Sequence, residues 1–275
     1  MIISDKNLTE QLIPLHDDFL DNVKNKWLEV PHPYVKNKDC IPILHEWFSS
    51  TKVNDLQGLS NFPYKDVTMG NTHFIESFVG KHGFDGFQVL NQEYAYYSFM
   101  GKWGVEVGNL EKNKPLIITL PHYKWGGLRP EWNDVLKECE QKNIDIHIDM
   151  AWLTLSKGIE IDFEHPSISS VGMSISKYSM QWNRIGLRWC KQRTMDSITM
   201  FNHYYQPPTN ENLSSCGAYA VQNIPRDYGW NTYGEKYFKI CDSIGVKPTN
   251  LIHVIHKGDE NKSFGVSNLL RSGKF

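Results

Sequence analysis

The sequence predicts an α/β protein with a mostly parallel central sheet covered by helices on both faces. Two patterns carry that expectation. From about residue 65, short apolar runs alternate with segments of helical period, the signature of strands joined through crossover helices. Asp149 and Lys177 then fall just past the ends of two such runs, where open parallel sheets bind ligands. Residues 1–60 read as an N-terminal arm, 61–225 as the main domain and 226–275 as a smaller C-terminal domain.

The elements follow in order. The polar arm is expected to carry short helices around 7–27 and 40–50, separated by Pro31-His32-Pro33. Gly70-Asn71-Thr72 opens a helix over 70–81. Phe87-Gln88-Val89-Leu90 reads as a short buried strand, and Leu116-Ile117-Ile118-Thr119-Leu120 as a stronger one between Pro115 and Pro121. Pro130 suits the first turn of a helix over 130–142, in which Trp132, Val135, Leu136 and Cys139 recur at helical spacing. Strands are expected at 144–148, 171–175 and 184–189, with 197–201 leaving the sheet. Helices over 213–221 and 233–244 follow, the second ended by Gly245, and 251–255 is a last strand. No internal repeat or low-complexity segment is present.

Composition narrows the class. Hydrophobic residues at 40% and charged residues at 22% are ordinary for a soluble globular chain. A net charge of -2 gives no reason to expect nucleic acid or an anionic membrane as partner. No apolar run reaches the roughly 18 residues of a membrane span. Met1-Ile2-Ile3-Ser4-Asp5-Lys6 lacks the basic and apolar regions of a signal peptide, so a cytoplasmic protein is expected. The five cysteines (Cys40, Cys139, Cys190, Cys216, Cys241) are odd in number and show no metal spacing, which suits reduced, buried thiols. His147 and Asp149, with Glu160, Asp162, Glu164 and His165, could be imagined as metal ligands. A polar connection leading into Pro166 is the better reading, and no metal is expected.

Three segments carry the chemistry. Ile148-Asp149-Met150-Ala151-Trp152 supplies an acid, Ser174-Ile175-Ser176-Lys177 a lysine, and Arg184-Ile185-Gly186 a cation with the fork that suits a phosphate. A lysine able to form an imine, an acid for a pyridinium nitrogen and an arginine for a phosphate are what pyridoxal 5'-phosphate (PLP) requires of a protein.

From Val67 to about Ile255 this order resembles the fold-type I PLP-dependent enzymes, the aminotransferase class I/II group, in an unusually short member. The resemblance implies a three-layer sandwich, the large domain of PLP-dependent transferases, with a reduced C-terminal small domain. It implies that Gly70, Asn71 and Thr72 form the phosphate-binding turn, and that Tyr94, or failing it Tyr97, stacks on the pyridine ring. Asp149 would pair with the ring nitrogen, Lys177 would be the Schiff-base lysine, and Ser174, Ser176 and Arg184 would hold the phosphate. Two positions depart from the family. Pro121-His122-Tyr123-Lys124 lacks the usual asparagine, leaving Tyr123 or Lys124 in its place. Trp152 stands where a tyrosine is usual and offers only an indole N–H. Arg271, the sole late arginine, and Lys124 are the candidates for the substrate.

The resemblance implies an aminotransferase acting on an amino acid or related primary amine and a keto acid, working as a homodimer. Lys177 would be covalent anchor and acid–base group, and Asp149 would keep the pyridine nitrogen protonated. The same anchors would serve a decarboxylase, lyase or racemase. A protein keeping the fold as an inactive scaffold is the alternative from another class.

Overall fold

The computed structural model describes residues 8–10, 12–13, 15–178, 184–204, 208–258 and 262–272. The expected arm helix around 7–27 is α1 (Asp18–Glu29), and its expected start at residue 7 lies outside the described residues. Asp17 starts it, its carboxylate accepting from the Leu20 amide at 2.8 Å. Helix α2 (Asn37–Ser49) follows, then β1 (Asp55–Gln57), β2 (Tyr64–Thr68) and α3 (Gly70–His82). The middle of the chain holds α4 (Ala95–Phe99), β3 (Leu116–Thr119), α5 (Trp132–Gln141), β4 (Ile146–Asp149), β5 (Glu160–Asp162), β6 (Ile168–Ser174) and β7 (Gly186–Cys190). A short turn, α6 (Ser197–Thr199), leads to α7 (Pro208–Asn223), α8 (Tyr228–Ile244), β8 (Val254–Lys257), β9 (Lys262–Gly265) and α9 (Ser267–Ser272). Gly245 ends α8 at φ +73°, a left-handed cap.

The central sheet has five strands in the order β2-β7-β6-β4-β3. The β3–β4 and β4–β6 pairs are parallel, while β7 runs antiparallel to both β6 and β2. The sheet is thus mixed, and the departure from the expected parallel order lies in β7. All five β7 residues are buried, as fits a strand covered on both faces. Alternation along it sends successive side chains to opposite layers. Trp189 packs edge-on against Phe48 of α2, ring centroids 5.6 Å apart. Arg188 points to the α3 side, where it binds Asp66 Oδ2 at 2.6 Å, Thr199 Oγ1 at 3.0 Å and Asp196. Phe74 of α3 lies so close to β6 that a Cβ on Gly172 would sit 2.6 Å from its ring.

Two strand expectations need correction. Residues 87–90 are buried but form only isolated bridges, Gln88 to Leu116 and Leu90 to Val105. Apolar burial there is met without a regular ladder. The last strand begins at Val254, and it pairs with β9 as a separate antiparallel hairpin instead of joining the sheet. Glu160 and Asp162 lie on β5, which pairs only with β1, away from Asp149 on β4. The five cysteines are free and buried. Among the described residues no helix is long and apolar enough to cross a membrane.

Candidate active site

The carboxyl ends of β3, β4 and β6 and the first turn of α3 converge on one site. Chain direction explains this: Thr119, Asp149 and Ser174 are the last residues of parallel strands, and Gly70 is the first of α3. Gly70 has φ +76°, a region costly for residues with a side chain. A Cβ there would also stand 3.2 Å from Arg184 Cβ, so the glycine lets the turn and Arg184 approach.

Asp149 is buried, only 2% exposed. Its Oδ1 accepts from Asn71 Nδ2 and from the Ala151 amide at 3.0 Å. Its Oδ2 has no hydrogen bond among the described residues. Burial pushes this carboxyl above its usual range, against the lowering effects of Asn71, the Ala151 amide and Lys177. Asn71 also donates to the Gly172 carbonyl at 2.8 Å, so its side chain turns inward to the acid. The expected phosphate-turn residue therefore serves Asp149 through its amide group, leaving only its backbone for an anion.

Lys177 sits in a turn just beyond β6, partly buried. Its Nζ lies 3.7 Å from the centroid of the Trp152 ring, a cation–π contact. Burial brings its pKa down to about 8; Asp149 opposes that shift and Arg184 adds to it. The Lys177 carbonyl accepts from the Leu15 amide at 3.0 Å, which ties the N-terminal arm to this turn. Trp152 stacks in turn on His253, centroids 4.6 Å apart and planes at 20°. His253 is fully buried with neither ring nitrogen hydrogen-bonded among the described residues, and burial, then Lys177, hold its pKa down near 3. A neutral imidazole and an indole thus form a dry wall behind the lysine.

Ser174, Ser176, Thr72 and Arg184, the residues expected to hold a phosphate, lie together at the other side of the site. The two serine hydroxyls are 2.7 Å apart. Arg184 is exposed and reaches Thr72 Oγ1 with one long bond of 3.5 Å. Tyr94 stands immediately before α4, 38% exposed, and its hydroxyl pKa is raised by burial and by Asp149. Tyr97 is fully buried beside Tyr94, at 6.4 Å and edge-on, which leaves it no exposed face for a ligand. Of these two tyrosines, Tyr94 is the one open to the site.

Sequence reasoning missed Glu93. Its side chain is 4% exposed, and Oε2 accepts from the amides of Thr119 at 3.0 Å and Tyr94 at 3.3 Å. Arg129 Nη1 stands 3.6 Å from Oε1. Burial dominates these contacts and lifts its pKa to about 7. Neighbouring tyrosines gave a hint, since an acid within Asn91-Gln92-Glu93-Tyr94-Ala95-Tyr96-Tyr97 has few solvated places to go. His253, alone within Leu251-Ile252-His253-Val254-Ile255, was a similar signal.

Of the two expected substrate contacts, Arg271 falls elsewhere. Arg271 lines a separate cavity with Asp17, Tyr228 and Tyr233, because α9 packs against α8. Lys124 lies over the Trp125 ring at 5.3 Å, while its amide donates to His122 Nδ1 at 3.1 Å. Of that loop it is Tyr123 that faces the site, raised in pKa by burial and then by Tyr94 and Glu93.

No protein-family model and no curated protein sequence matches the chain. Solved structures do. An aromatic amino acid aminotransferase from Burkholderia cenocepacia J2315 superposes with a TM-score of 0.62 at 11% identity, over 98% of this chain and 90% of that one. A PLP-bound C-S lyase from Staphylococcus hominis gives 0.64 at 10%, over 89% and 73%. A double mutant of Thermus thermophilus aspartate aminotransferase gives 0.59 at 14%, over 88% and 74%. The chain has the fold of the fold-type I PLP-dependent enzymes. At these identities the likeness is one of fold.

Proposed function

We propose that this chain holds pyridoxal 5'-phosphate at Lys177 and transfers an amino group between an amino acid or related amine and a keto acid. The observation that carries this is the meeting of Lys177, lowered to about 8, with a buried Asp149 whose Oδ2 takes no hydrogen bond among the described residues. The donor set fits the cofactor. Asp149 Oδ2 suits a protonated ring nitrogen, Tyr94 a ring face, and Gly70, Thr72, Ser174, Ser176 and Arg184 a phosphate. In this reading residues 61–225 hold the cofactor, 226–275 form a smaller domain, and two copies pair in the cytoplasm.

Bound PLP supplies an electron sink for a bond at the amine-bearing carbon. The residues supply the rest. A carboxylate at Asp149 would keep the cofactor's ring nitrogen protonated, and Asn71 keeps that carboxylate aimed. Lys177 Nζ would hold the cofactor through its aldehyde, and it is the amine placed to take and return a proton near neutral pH. Trp152 and His253 exclude water from behind Nζ.

Mixing the protein with PLP is expected to give a visible absorption band that borohydride bleaches and that Lys177→Ala lacks. Peptide mapping after borohydride should find the added mass on Lys177. A protein with no lysine-dependent band, under conditions that load a known PLP enzyme, would refute the cofactor assignment. Loaded protein that turns over amines without consuming a keto acid acceptor would move the reaction to the lyase or decarboxylase class.

A further inference from the structure

Thr119 and Asp149 are register partners across β3 and β4, and the Leu120 amide donates to the Asp149 carbonyl at 2.9 Å. The same end of β3 is tied to a third element. Glu93 Oε2 accepts from the Thr119 amide at 3.0 Å and from the Tyr94 amide at 3.3 Å. One oxygen therefore joins the residue before α4 to the strand beside Asp149. The buried Arg129 steadies this segment from the other side. Its Nη2 donates to the Asn91 carbonyl at 2.7 Å, and its Nη1 stands 3.6 Å from Glu93 Oε1.

Tyr94 needs such a tie. Helix α4 is only five residues long, and no side-chain hydrogen bond caps it at Tyr94. The Tyr94 hydroxyl makes no hydrogen bond among the described residues. Its ring is placed by its backbone and by the neighbouring Tyr96 and Tyr97 rings. Reach is what the tie demands of residue 93. A side chain one methylene shorter would withdraw the oxygen by about 1.5 Å, which takes the Thr119 amide out of hydrogen-bond range. Charge is not demanded. Burial lifts the Glu93 pKa to about 7, and the protonated and ionised forms both keep an acceptor oxygen.

Resting on the cofactor reading above, we infer that Glu93 is a positioning residue: its reach, rather than its charge, fixes the Tyr94 ring relative to Asp149. In that reading Tyr94 takes the cofactor's ring face and Asp149 its ring nitrogen.

Two variants separate reach from charge. Glu93→Asp keeps the charge and is shorter; Glu93→Gln keeps the reach and loses the charge. In the full chain without PLP, hydrogen exchange at the Thr119 amide, read by NMR, should be at least about tenfold faster in Glu93→Asp and near wild type in Glu93→Gln. PLP titrated into each should bind Glu93→Asp at least about tenfold more weakly, with a smaller circular-dichroism signal in the visible band. Glu93→Gln should restore both. Tyr94→Ala should itself weaken PLP, and adding Glu93→Asp to it should cost nothing further, because Glu93 acts through Tyr94. A folded Glu93→Asp that binds PLP like wild type, whatever its exchange rate, would overturn the inference. So would a Glu93→Gln as impaired as Glu93→Asp, or additive losses in the double variant. Wild-type protein with no lysine-dependent band would overturn the cofactor reading too, whereas a normal band with an indifferent Glu93→Asp overturns this inference alone.

Discussion

Asn71 Nδ2 donates to Asp149 Oδ1, so the first turn of α3 grips the last residue of β4. The same amide group holds the Gly172 carbonyl at 2.8 Å, joining three elements through one side chain. Asn71→Ala removes both bonds inside a buried site. A loss of about 1–3 kcal/mol is expected, read by urea denaturation. The Asp149 pKa should rise further in that variant, because the Asn71 bond opposes the effect of burial. An unchanged urea midpoint would show that the bond contributes nothing.

Glu93 is expected to make stability depend on pH in an identifiable window. Its pKa is about 7 in the folded chain against an ordinary value of 4.5. Between those values the folded state binds the extra proton, so stability falls as pH rises from about 4.5 to about 7. Glu93→Gln cannot ionise and should lose this dependence. Relative to wild type it should gain on the order of 3 kcal/mol between pH 4 and 8. Parallel curves for the two proteins, from thermal or urea unfolding across that range, would contradict the assignment.

Lys177 has the opposite sign. It is neutral above about 8 when folded but charged up to the ordinary lysine range when unfolded, so its contribution to stability rises with pH across that interval. At pH 8 its neutral fraction should exceed that of a surface lysine by roughly a hundredfold. Limited acylation followed by mass spectrometry should therefore show a labelling midpoint near 8 at Lys177. Asp149→Asn should move that midpoint lower, since the Asp149 charge raises it. A midpoint in the ordinary lysine range would remove the argument for an unusual amine.

Much of this was legible in residue order, because strand ends and helix starts fix positions to within a residue or two. Asp149 and Ser174 end their strands, and Gly70 opens its helix. Long-range choices were harder to read. The burial of residues 87–90 looked like a strand, yet the backbone there pairs only at isolated points. The apolar run at 251–255 looked like sheet, and its pairing with β9 was set by contacts distant in sequence. Asn71 had a plausible backbone role at a helix start, which concealed the direction of its side chain. In sequence Arg271 stands out only for being late in the chain, and the packing of α9 on α8 decides where it goes.

The bond from the Leu15 amide to the Lys177 carbonyl, with the parallel bridge of Leu15 to Tyr178, makes the arm a mechanical handle on the lysine. Tension applied at the arm, by a surface tether or a bulky fusion, would be delivered to the turn that carries Nζ. Force would then act on the Lys177 turn before it reached the strands beneath.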